Sequence, residues 1–351
     1  MSVTRRRLLK RALALTAGLG AIGLGIGRAA GEKAALAAED MRFFRIGTGS
    51  TGGTYYPVGG LLAAAISNPP GSHPCEQGGA CGVPGLIAVA QTTQGSVDNV
   101  TRMQAGSLES ALCQADVAYW AVTGQGSFTE HGPVPGLTVI SSLFPELLHL
   151  VVRRGAGIRS VKDLKGRRVS LDTEGSGSRV DALLVLAAYG LDPRKMDVVA
   201  LSSSESAAAI RKDELDAFFM VAGAPVSVIE ELADEHLVDL LPLAGPESEL
   251  ITKEYAFLAP DMIAAGTYSN IPATQTLSVG ALWLVSAAVD AELVYAITQT
   301  LWNDTTRHLL DAGHPRAAQI RLDTALRGVS QPPLHPGAEK YYRERGMLSP
   351  I

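Results

Sequence analysis

Short apolar segments alternate along this chain with segments of helical periodicity, and this alternation restricts the fold more than any other feature. Strand-like segments at 43–47, 168–171, 198–201 and 215–221 are each followed by a helical pattern. Strands that alternate with helices form parallel sheets covered by helices on both faces. The sequence therefore predicts an α/β protein.

The rest of the chain extends this pattern. Further strands are predicted at 117–122, 137–143, 148–153, 237–241 and 276–286. Helices are predicted near 54–67, 290–312, 315–327 and 336–345, and residues 244–275 are expected to be less regular. With 351 residues, 46% of them hydrophobic and 19% charged, the chain is long and apolar enough for about two domains. A mainly disordered chain is excluded.

The first 38 residues have the layout of an export signal. Consecutive arginines at 5–7 precede an apolar run at 12–26, and Ala35-Leu36-Ala37 has the small-x-small pattern of a cleavage site. This layout resembles the twin-arginine signal. An uncleaved anchor helix is the alternative, but the apolar run is short and glycine-rich for a bilayer core of about 30 Å. We expect residues 1–38 to be a cleaved signal peptide and the mature protein to be periplasmic.

Charge is divided unevenly between this segment and the rest of the chain. Residues 1–38 carry a net charge of +6, so residues 39–351 carry −11 against −5 for the whole chain. An acidic body repels nucleic acid and anionic lipid. Only 5% of the residues are aromatic, which is few for a surface that stacks bases. We expect neither nucleic acid nor membrane lipid as a partner.

Cys75 and Cys81 lie in a stretch, 69–82, that is too rich in proline and glycine for a helix or a strand. In an oxidising compartment, a disulfide between them is the natural prediction. A metal site that includes His73 is the alternative, but no fourth ligand is evident and the spacing fits no zinc pattern. Cys113 is left over and is predicted to be a buried thiol.

Two turns rich in glycine, serine and threonine each connect a strand to a helix, at 47–54 and at 172–178. The start of a helix has unpaired N–H groups and a partial positive charge, so it binds anions, and glycines allow close approach to the backbone. If the two turns belong to different domains, they would face each other across a cleft. A purely connecting role for each turn is the alternative.

Patterns typical of enzymes are incomplete in this chain. Gly47, Gly49 and Gly52 match Gly-x-Gly-x-x-Gly, but no acidic residue ends a second strand about 20 residues later, as in dinucleotide sites. No serine lies in Gly-x-Ser-x-Gly, and the seven histidines are scattered without a metal-binding pattern. We therefore expect a binding protein without cofactor or metal, rather than an enzyme.

Residues 46–57 read Ile-Gly-Thr-Gly-Ser-Thr-Gly-Gly-Thr-Tyr-Tyr-Pro and closely resemble the opening motif of the TAXI solute receptors, the extracytoplasmic binding proteins of one group of TRAP transporters. Further matches follow in order along the chain, at 93–99, 114–118, 143–146, 158–166, 175–178, 216–219, 222–225 and 334–338. The resemblance covers essentially all of 43–346. The 75–81 loop is similar to an insertion seen in one subgroup.

The resemblance implies a two-lobed type II periplasmic-binding-protein fold with a ligand cleft between the lobes. It implies a receptor that captures a small organic anion, such as glutamate, 2-oxoglutarate or a related carboxylate. The receptor, a monomer, would deliver this solute to the TRAP membrane subunits. A sensor subunit that presents the solute to a signalling partner is an alternative function, and an enzyme on the same fold is a further one.

Carried over motif by motif, the resemblance assigns residues from both turns and from the segments between them to the solute pocket. These residues are Gly49, Ser50, Thr51, Gly52, Tyr55, Ser96, Asn99, Gln114, Ser176, Gly177, Ser178 and Gly223. The alternatives are core packing for Tyr55, helix capping for Asn99, and a role in organising the hinge, together with Asp116, for Gln114. Arg179 departs from the family pattern, and it either pairs with a second carboxylate of the solute or points to solvent.

In this fold, two strands connect the lobes. The best candidates are the predicted strands 148–153 and 276–286. Lobe I would then comprise 41–152 and 278–351, and lobe II would comprise 153–277.

Overall fold

The computed structural model describes residues 41–349, so the predicted signal peptide, residues 1–38, lies outside the described residues. The strands are β1 (Arg42–Gly47), β2 (Ser67–Asn68), β3 (Val83–Pro84), β4 (Leu86–Gln91), β5 (Ser110–Gln114), β6 (Leu137–Arg153), β7 (Arg168–Ser170), β8 (Asp197–Val199), β9 (Ala217–Ala222), β10 (Val238–Leu241), β11 (Leu258–Ile263) and β12 (Thr274–Ser286). The helices are α1 (Tyr55–Ile66), α2 (Ser96–Gln104), α3 (Ala115–Thr123), α4 (Gly177–Ala188), α5 (Ser203–Arg211), α6 (Ser227–Asp234), α7 (Pro246–Glu254), α8 (Ala291–Leu301), α9 (Asp304–Gly313) and α10 (Pro336–Glu344).

One large sheet runs through these residues in the order β4-β1-β5-β12-β6-β9-β7-β8, with β10 added to β6 and β11 added to β12. The outer strands pair in parallel, β1 with β4 and β5, and β7 with β8 and β9. The long central strands β6 and β12 are antiparallel to each other and to β5 and β9. The sheet is therefore mixed, and the prediction of a parallel sheet holds only for its two outer parts.

The strands β6 and β12 carry the chain between the two halves of the molecule. The carboxyl-terminal part of β12 pairs with β5, whereas the carboxyl-terminal part of β6 pairs with β9 and β10. The predicted connecting strands 148–153 and 276–286 lie within these two strands. We use "first lobe" for the elements around β4-β1-β5 and "second lobe" for those around β9-β7-β8. The residues at which each lobe begins and ends stay a prediction.

Each lobe has helices on both faces of its part of the sheet. In the first lobe, α1, α8, α9 and α10 cover one face, and α2 and α3 cover the other. In the second lobe, α5 and α6 cover one face, and α4 and α7 cover the other. A sheet covered on both faces buries nearly all of its central side chains. From Thr276 to Val285, every residue of β12 except Gly280 is accordingly buried, and most of these residues are apolar.

Two predicted elements were wrong. Residues 117–122 lie in helix α3, not in a strand, because a short apolar run alone does not distinguish a buried helix from a buried strand. Gly124 ends this helix with a left-handed φ of 66°. Residues 315–327 form two single 3₁₀ turns, Ala317–Gln319 and Leu322–Thr324, rather than one helix.

The predicted strands 137–143 and 148–153 form one continuous strand, β6, of 17 residues. Pro145 lies in its middle, where it cannot donate a ladder hydrogen bond. It is paired with Gly280, next to an irregularity in the β6–β12 register. Proline is tolerated inside a sheet at such a bulge.

The predicted disulfide between Cys75 and Cys81 is confirmed. The bond lies in a segment that contains a single 3₁₀ turn, Cys75–Gln77, and whose side chains are mostly exposed. Cys113 is a buried thiol on β5, as predicted.

Replacing both Cys75 and Cys81 by serine should lower the free energy of unfolding by about 2 kcal/mol, the loop-closure value for so short a loop. Urea denaturation under non-oxidising and oxidising conditions measures this difference. The variant should have the stability of the reduced wild-type protein. A loss of more than twice this size, or a failure to fold, would contradict the prediction that the disulfide stabilises the protein only by closing its own short loop.

Candidate functional site at the two helix starts

The two glycine-rich turns converge on one cavity, although they are far apart in the sequence. The first turn leads into α1 in the first lobe, and the second leads into α4 in the second lobe. The cavity between them has a volume of about 50 Å³. Most of the residues that were assigned to the solute pocket line it: Gly49, Ser50, Tyr55, Ser96, Gln114, Ser176, Gly177 and Ser178. Their contact with a solute stays a prediction.

Four residues of the predicted pocket do not line this cavity. Thr51 is exposed, and Gly52 lies against the second lobe, where an added Cβ would approach the Oγ of Ser204 to 2.7 Å. Asn99 is fully buried and donates from Nδ2 to the carbonyl groups of Thr48 and Leu112, each at 2.7 Å. Asn99 therefore supports the first turn from behind. Gly223 accepts a hydrogen bond at its carbonyl oxygen from Thr54 Oγ1, at 2.9 Å.

Several residues that the sequence analysis did not assign to the pocket also line the cavity. They include Thr54, Gln94, Gly95, Glu146, Asp172, Ser203 and Met220. Glu146 belongs to a segment that the resemblance singled out, 143–146, but only its pairing in the central sheet places it beside Tyr55. Ser203 opens α5, so a third helix start reaches the cavity.

The start of α4 has the features of an anion site. Ser176 caps the helix, since its Oγ accepts a hydrogen bond from the amide of Arg179 at 3.1 Å. The amides of Gly177 and Ser178 make no hydrogen bond to the described residues. Such free amides, together with the helix dipole, favour a negatively charged group. Ser178 is held in place because its Oγ accepts from the amide of Val221 at 2.9 Å.

The lobes are closed over this cavity by direct hydrogen bonds. Ser50 Oγ lies 3.1 Å from Ser203 Oγ. The amide of Asp98 donates to the carbonyl oxygen of Gly175 at 2.9 Å, and the amide of Gly175 donates to Gln94 Oε1 at 3.1 Å. These contacts join loops of the first lobe to loops of the second. The structure is therefore the closed form of the cleft.

Two carboxyl groups face the cavity, and burial changes their ionisation. Burial raises the pKa of Glu146 to about 8, and the hydroxyl of Tyr55 donates to Glu146 Oε2 at 2.5 Å. Burial also raises the pKa of Asp172 to about 6. At neutral pH, Glu146 is therefore mostly uncharged. An uncharged Glu146 does not repel an anion in the cavity.

A second, larger cavity of about 1160 Å³ lies elsewhere along β6 and β12. Aromatic side chains form part of its wall: Tyr119, Trp120, Phe144, Tyr255 and Phe257. None of the residues assigned to the solute pocket lines it. The smaller cavity remains the candidate site, because free helix-start amides and buried polar groups converge there.

The described part of the chain contains no group of three or more His, Cys, Asp and Glu side chains placed to hold a metal ion. Within the same part, no helix is both long and apolar enough to cross a membrane.

Comparison with known proteins places this architecture in a family. A model of the NMT1-like family matches residues 46–346 of the chain. The chain belongs to the NMT1-like family. The matched segment contains both helix-start turns and both central strands.

Solved structures resemble this NMT1-like protein at low sequence identity. MatC from Rhodopseudomonas palustris, with bound malate, is 13% identical at a TM-score of 0.50, and the match covers 87% of this chain and 97% of MatC. The alkanesulfonate-binding protein SsuA from Xanthomonas axonopodis pv. citri, bound to MOPS, is 18% identical at a TM-score of 0.46, covering 86% and 83%. PhnD1 from Prochlorococcus marinus, in complex with methylphosphonate, is 13% identical at a TM-score of 0.47, covering 87% and 99%. The likeness to MatC concerns the fold, and the predicted two-lobed periplasmic-binding-protein fold is confirmed.

Arg179 of this NMT1-like protein does not line the cavity. Its Nε makes an ion pair with Glu174 at 3.0 Å, and the side chain is 21% exposed. Its Nη1 is buried without a hydrogen-bond partner among the described residues. In the closed form, Arg179 is therefore engaged beside the second turn.

Substituting Gly177 by alanine should hold the cleft of this NMT1-like protein open. A Cβ at this position would lie 1.8 Å from Gln114 Oε1 and 3.0 Å from Ser96 Oγ, both of which belong to the opposite lobe. We expect a larger radius of gyration in small-angle X-ray scattering than for the wild type, with unchanged helix content by circular dichroism.

Gly60→Ala is the matched control, because a Cβ at Gly60 meets nothing within 4 Å and the residue also lies in a helix. This variant should scatter like the wild type. If Gly177→Ala also scatters like the wild type, the close approach of the lobes at Gln114 is not a feature of the protein in solution.

Proposed function

We propose that this protein is an exported solute-binding receptor that captures a small organic anion, a carboxylate, and delivers it to a membrane permease. The observation that carries this proposal is the convergence of helix starts from two lobes on one cavity. Two long strands join the lobes, and the remaining contacts between the lobes are hydrogen bonds and side-chain packing that opening would break. Opposed binding loops on two lobes are the arrangement that permits capture by closure.

The lining of the cavity supports the capture of a carboxylate group. The free amides of Gly177 and Ser178 would donate to one carboxylate, at the positive end of the α4 dipole. The hydroxyls of Ser50 and Ser203 would add donors from the two sides. Closure removes water, which strengthens each of these hydrogen bonds. In this model no lysine or metal ion is needed to neutralise the solute.

The size of the cavity indicates that binding includes opening. About 50 Å³ is room for only a few non-hydrogen atoms, and a solute as large as glutamate needs more. We infer that the solute enters an open cleft and that the lobes then close around it less tightly than in the structure described here.

We further propose that the permease is of the TRAP type and that the receptor belongs to its TAXI group. The ordered motifs along 46–338 support this assignment, with glutamate, 2-oxoglutarate or a related carboxylate as solute. MatC, which shares the fold, contains malate in its structure. A dicarboxylate is therefore included among the solutes to be tested.

Calorimetric titration of the purified protein with L-glutamate, 2-oxoglutarate and malate tests the proposal. At least one should bind and raise the melting temperature, since a ligand of the native state stabilises it by mass action. The dimethyl ester of the same acid should bind far more weakly, because it lacks the negative charge. Equal binding of acid and ester, or no binding of any carboxylate, would count against the proposal.

Ser50→Ala and Ser176→Ala should each weaken the affinity for that carboxylate by about 1–3 kcal/mol, the cost of a lost buried hydrogen bond. Ser107→Ala, at an exposed serine outside the cavity, is the control and should bind like the wild type. If both cavity variants retain the wild-type dissociation constant, their hydroxyls do not contact the solute.

A further inference from the structure

Two carboxyl groups from opposite lobes meet behind the candidate site, and the solute-binding model does not use them. Asp116 lies in the first turn of α3, and Asp181 lies in α4, one helical turn beyond Gly177. Both side chains are fully buried. Gln114 of the first lobe donates from Nε2 to Asp181 Oδ2 at 2.6 Å, so the second-lobe carboxyl is bound across the cleft.

Most oxygens of this pair have no donor. Both oxygens of Asp116 and Oδ1 of Asp181 lack a hydrogen-bond partner among the described residues. Asp116 approaches the first amides of α3, but without full hydrogen-bond geometry. The two carboxyl groups lie in the same buried contact, because Gln114, which immediately precedes α3 and lies two residues before Asp116, donates to Asp181. A carboxyl–carboxyl hydrogen bond requires a proton on one of them.

The surroundings offer little to neutralise two negative charges. The titratable groups that act on the pair or on its neighbours are Cys113 on β5, Glu146 on β6 and Tyr55 on α1. The guanidinium of Arg316 acts on Glu146, but it donates to Ala224 O and Gln319 Oε1. On the α4 side, Arg179 is paired with Glu174, near Asp172.

Apolar side chains close the region around the pair. Val180 and Leu184 of α4 pack against the first-lobe core that contains Val117 and Ala118 of α3. This packing removes the pair from bulk water, and it exists only while α3 and α4 are together. Separation of the lobes would return both carboxyl groups to water.

We propose that closure of the lobes is coupled to the uptake of a proton, which Asp116 and Asp181 share across the cleft. The inference rests on the proposed function in one respect: it takes the cleft to open and close. Proton uptake would make closure of the lobes depend on pH, in addition to its dependence on the solute. A rise in pH would open the cleft, and a fall in pH would favour the closed form.

The sign follows from the environment of the closed form. Burial raises the pKa of Asp116 to about 6 and, together with the charge of Asp116, raises the pKa of Asp181 well above its ordinary value of 3.8. In the open form, both groups would titrate near 3.8. Below that pH, both groups are protonated in both forms, so closure costs no proton uptake. As the pH rises towards the upper pKa of the pair, the closed form loses stability relative to the open form. For one shared proton, the ratio of closed to open molecules falls about tenfold per pH unit.

Small-angle X-ray scattering without solute, from pH 5 to pH 8.5, measures this equilibrium. The experiment uses the Glu146→Gln, Asp172→Asn double variant as its background, so that neither of these two carboxyl groups at the cavity contributes its own titration. In this background, the radius of gyration should rise with pH. Adding Asp116→Asn should abolish the rise, because the amide donates to Asp181 permanently and replaces the proton. Asp181→Asn is the second variant, and it should also abolish the rise in the radius of gyration. Circular dichroism tests whether each variant is folded.

An unchanging radius of gyration in the background variant, or the same rise in both asparagine variants, would overturn the proposal. Titration with L-glutamate, 2-oxoglutarate and malate at pH 6 separates the two proposals. If these acids do not bind but closure still follows pH, the proposed function fails and the proton coupling stands. If an acid binds while closure ignores pH, only the proton coupling fails.

Discussion

The antiparallel pairing of β6 with β12 is the constraint on which the rest of the structure depends. β12 is hydrogen-bonded to β5 of the first lobe, β6 is hydrogen-bonded to β9 and β10 of the second lobe, and the two strands pair with each other. Both lobes therefore grow from one continuous sheet, and their relative position is set by two neighbouring strands. Pro145 and Gly280 face each other where the strands pass from one lobe to the other, and the regular register is interrupted there. A ladder that lacks a hydrogen bond at this point bends more easily than an intact one.

The site follows from this arrangement because each lobe directs helix starts at the same edge. α1 begins on one side of the cavity, and α4 and α5 begin on the other. Several polar groups that line the cavity are buried, and some are fixed by hydrogen bonds to the backbone, such as the bond from Val221 N to Ser178 Oγ. A fixed set of donors is suited to binding a charged group without rearrangement. Solute capture and the meeting of Asp116 with Asp181 would then be two results of the same closing motion.

The sequence contains local information about the fold and little about its long-range contacts. The turns at 47–54 and 172–178 were recognisable because helix starts depend on neighbouring residues. Helix α3 was missed because Val117 to Val122 are apolar on every side, which is a consequence of packing between the sheet and the second lobe. The half-exposed strand β4 and the helix α2 that follows it were not predicted from periodicity at all.

The same distinction holds for the candidate site. Ser176, Gly177 and Ser178 follow from the chemistry of one turn, and they line the cavity. Glu146 reaches it only through the pairing of β6 with β12 and β9 in the sheet, which no local pattern reveals. Asn99 belongs to a recognisable motif, yet its side chain is used to support the backbone of Thr48. A motif residue can therefore be essential to a site without facing it.

Hydrogen bonds between Gln94, Asp98 and Gly175 join the two lobes. They are separate from the helix-start amides that are proposed to bind the solute. These bonds involve residues of the protein and no atom of the solute. Their strength therefore multiplies the affinity for all solutes by one common factor and leaves the ratios between solutes unchanged. Evolution could adjust how tightly such a receptor retains its cargo at this loop pair, while selectivity is adjusted separately in the cavity.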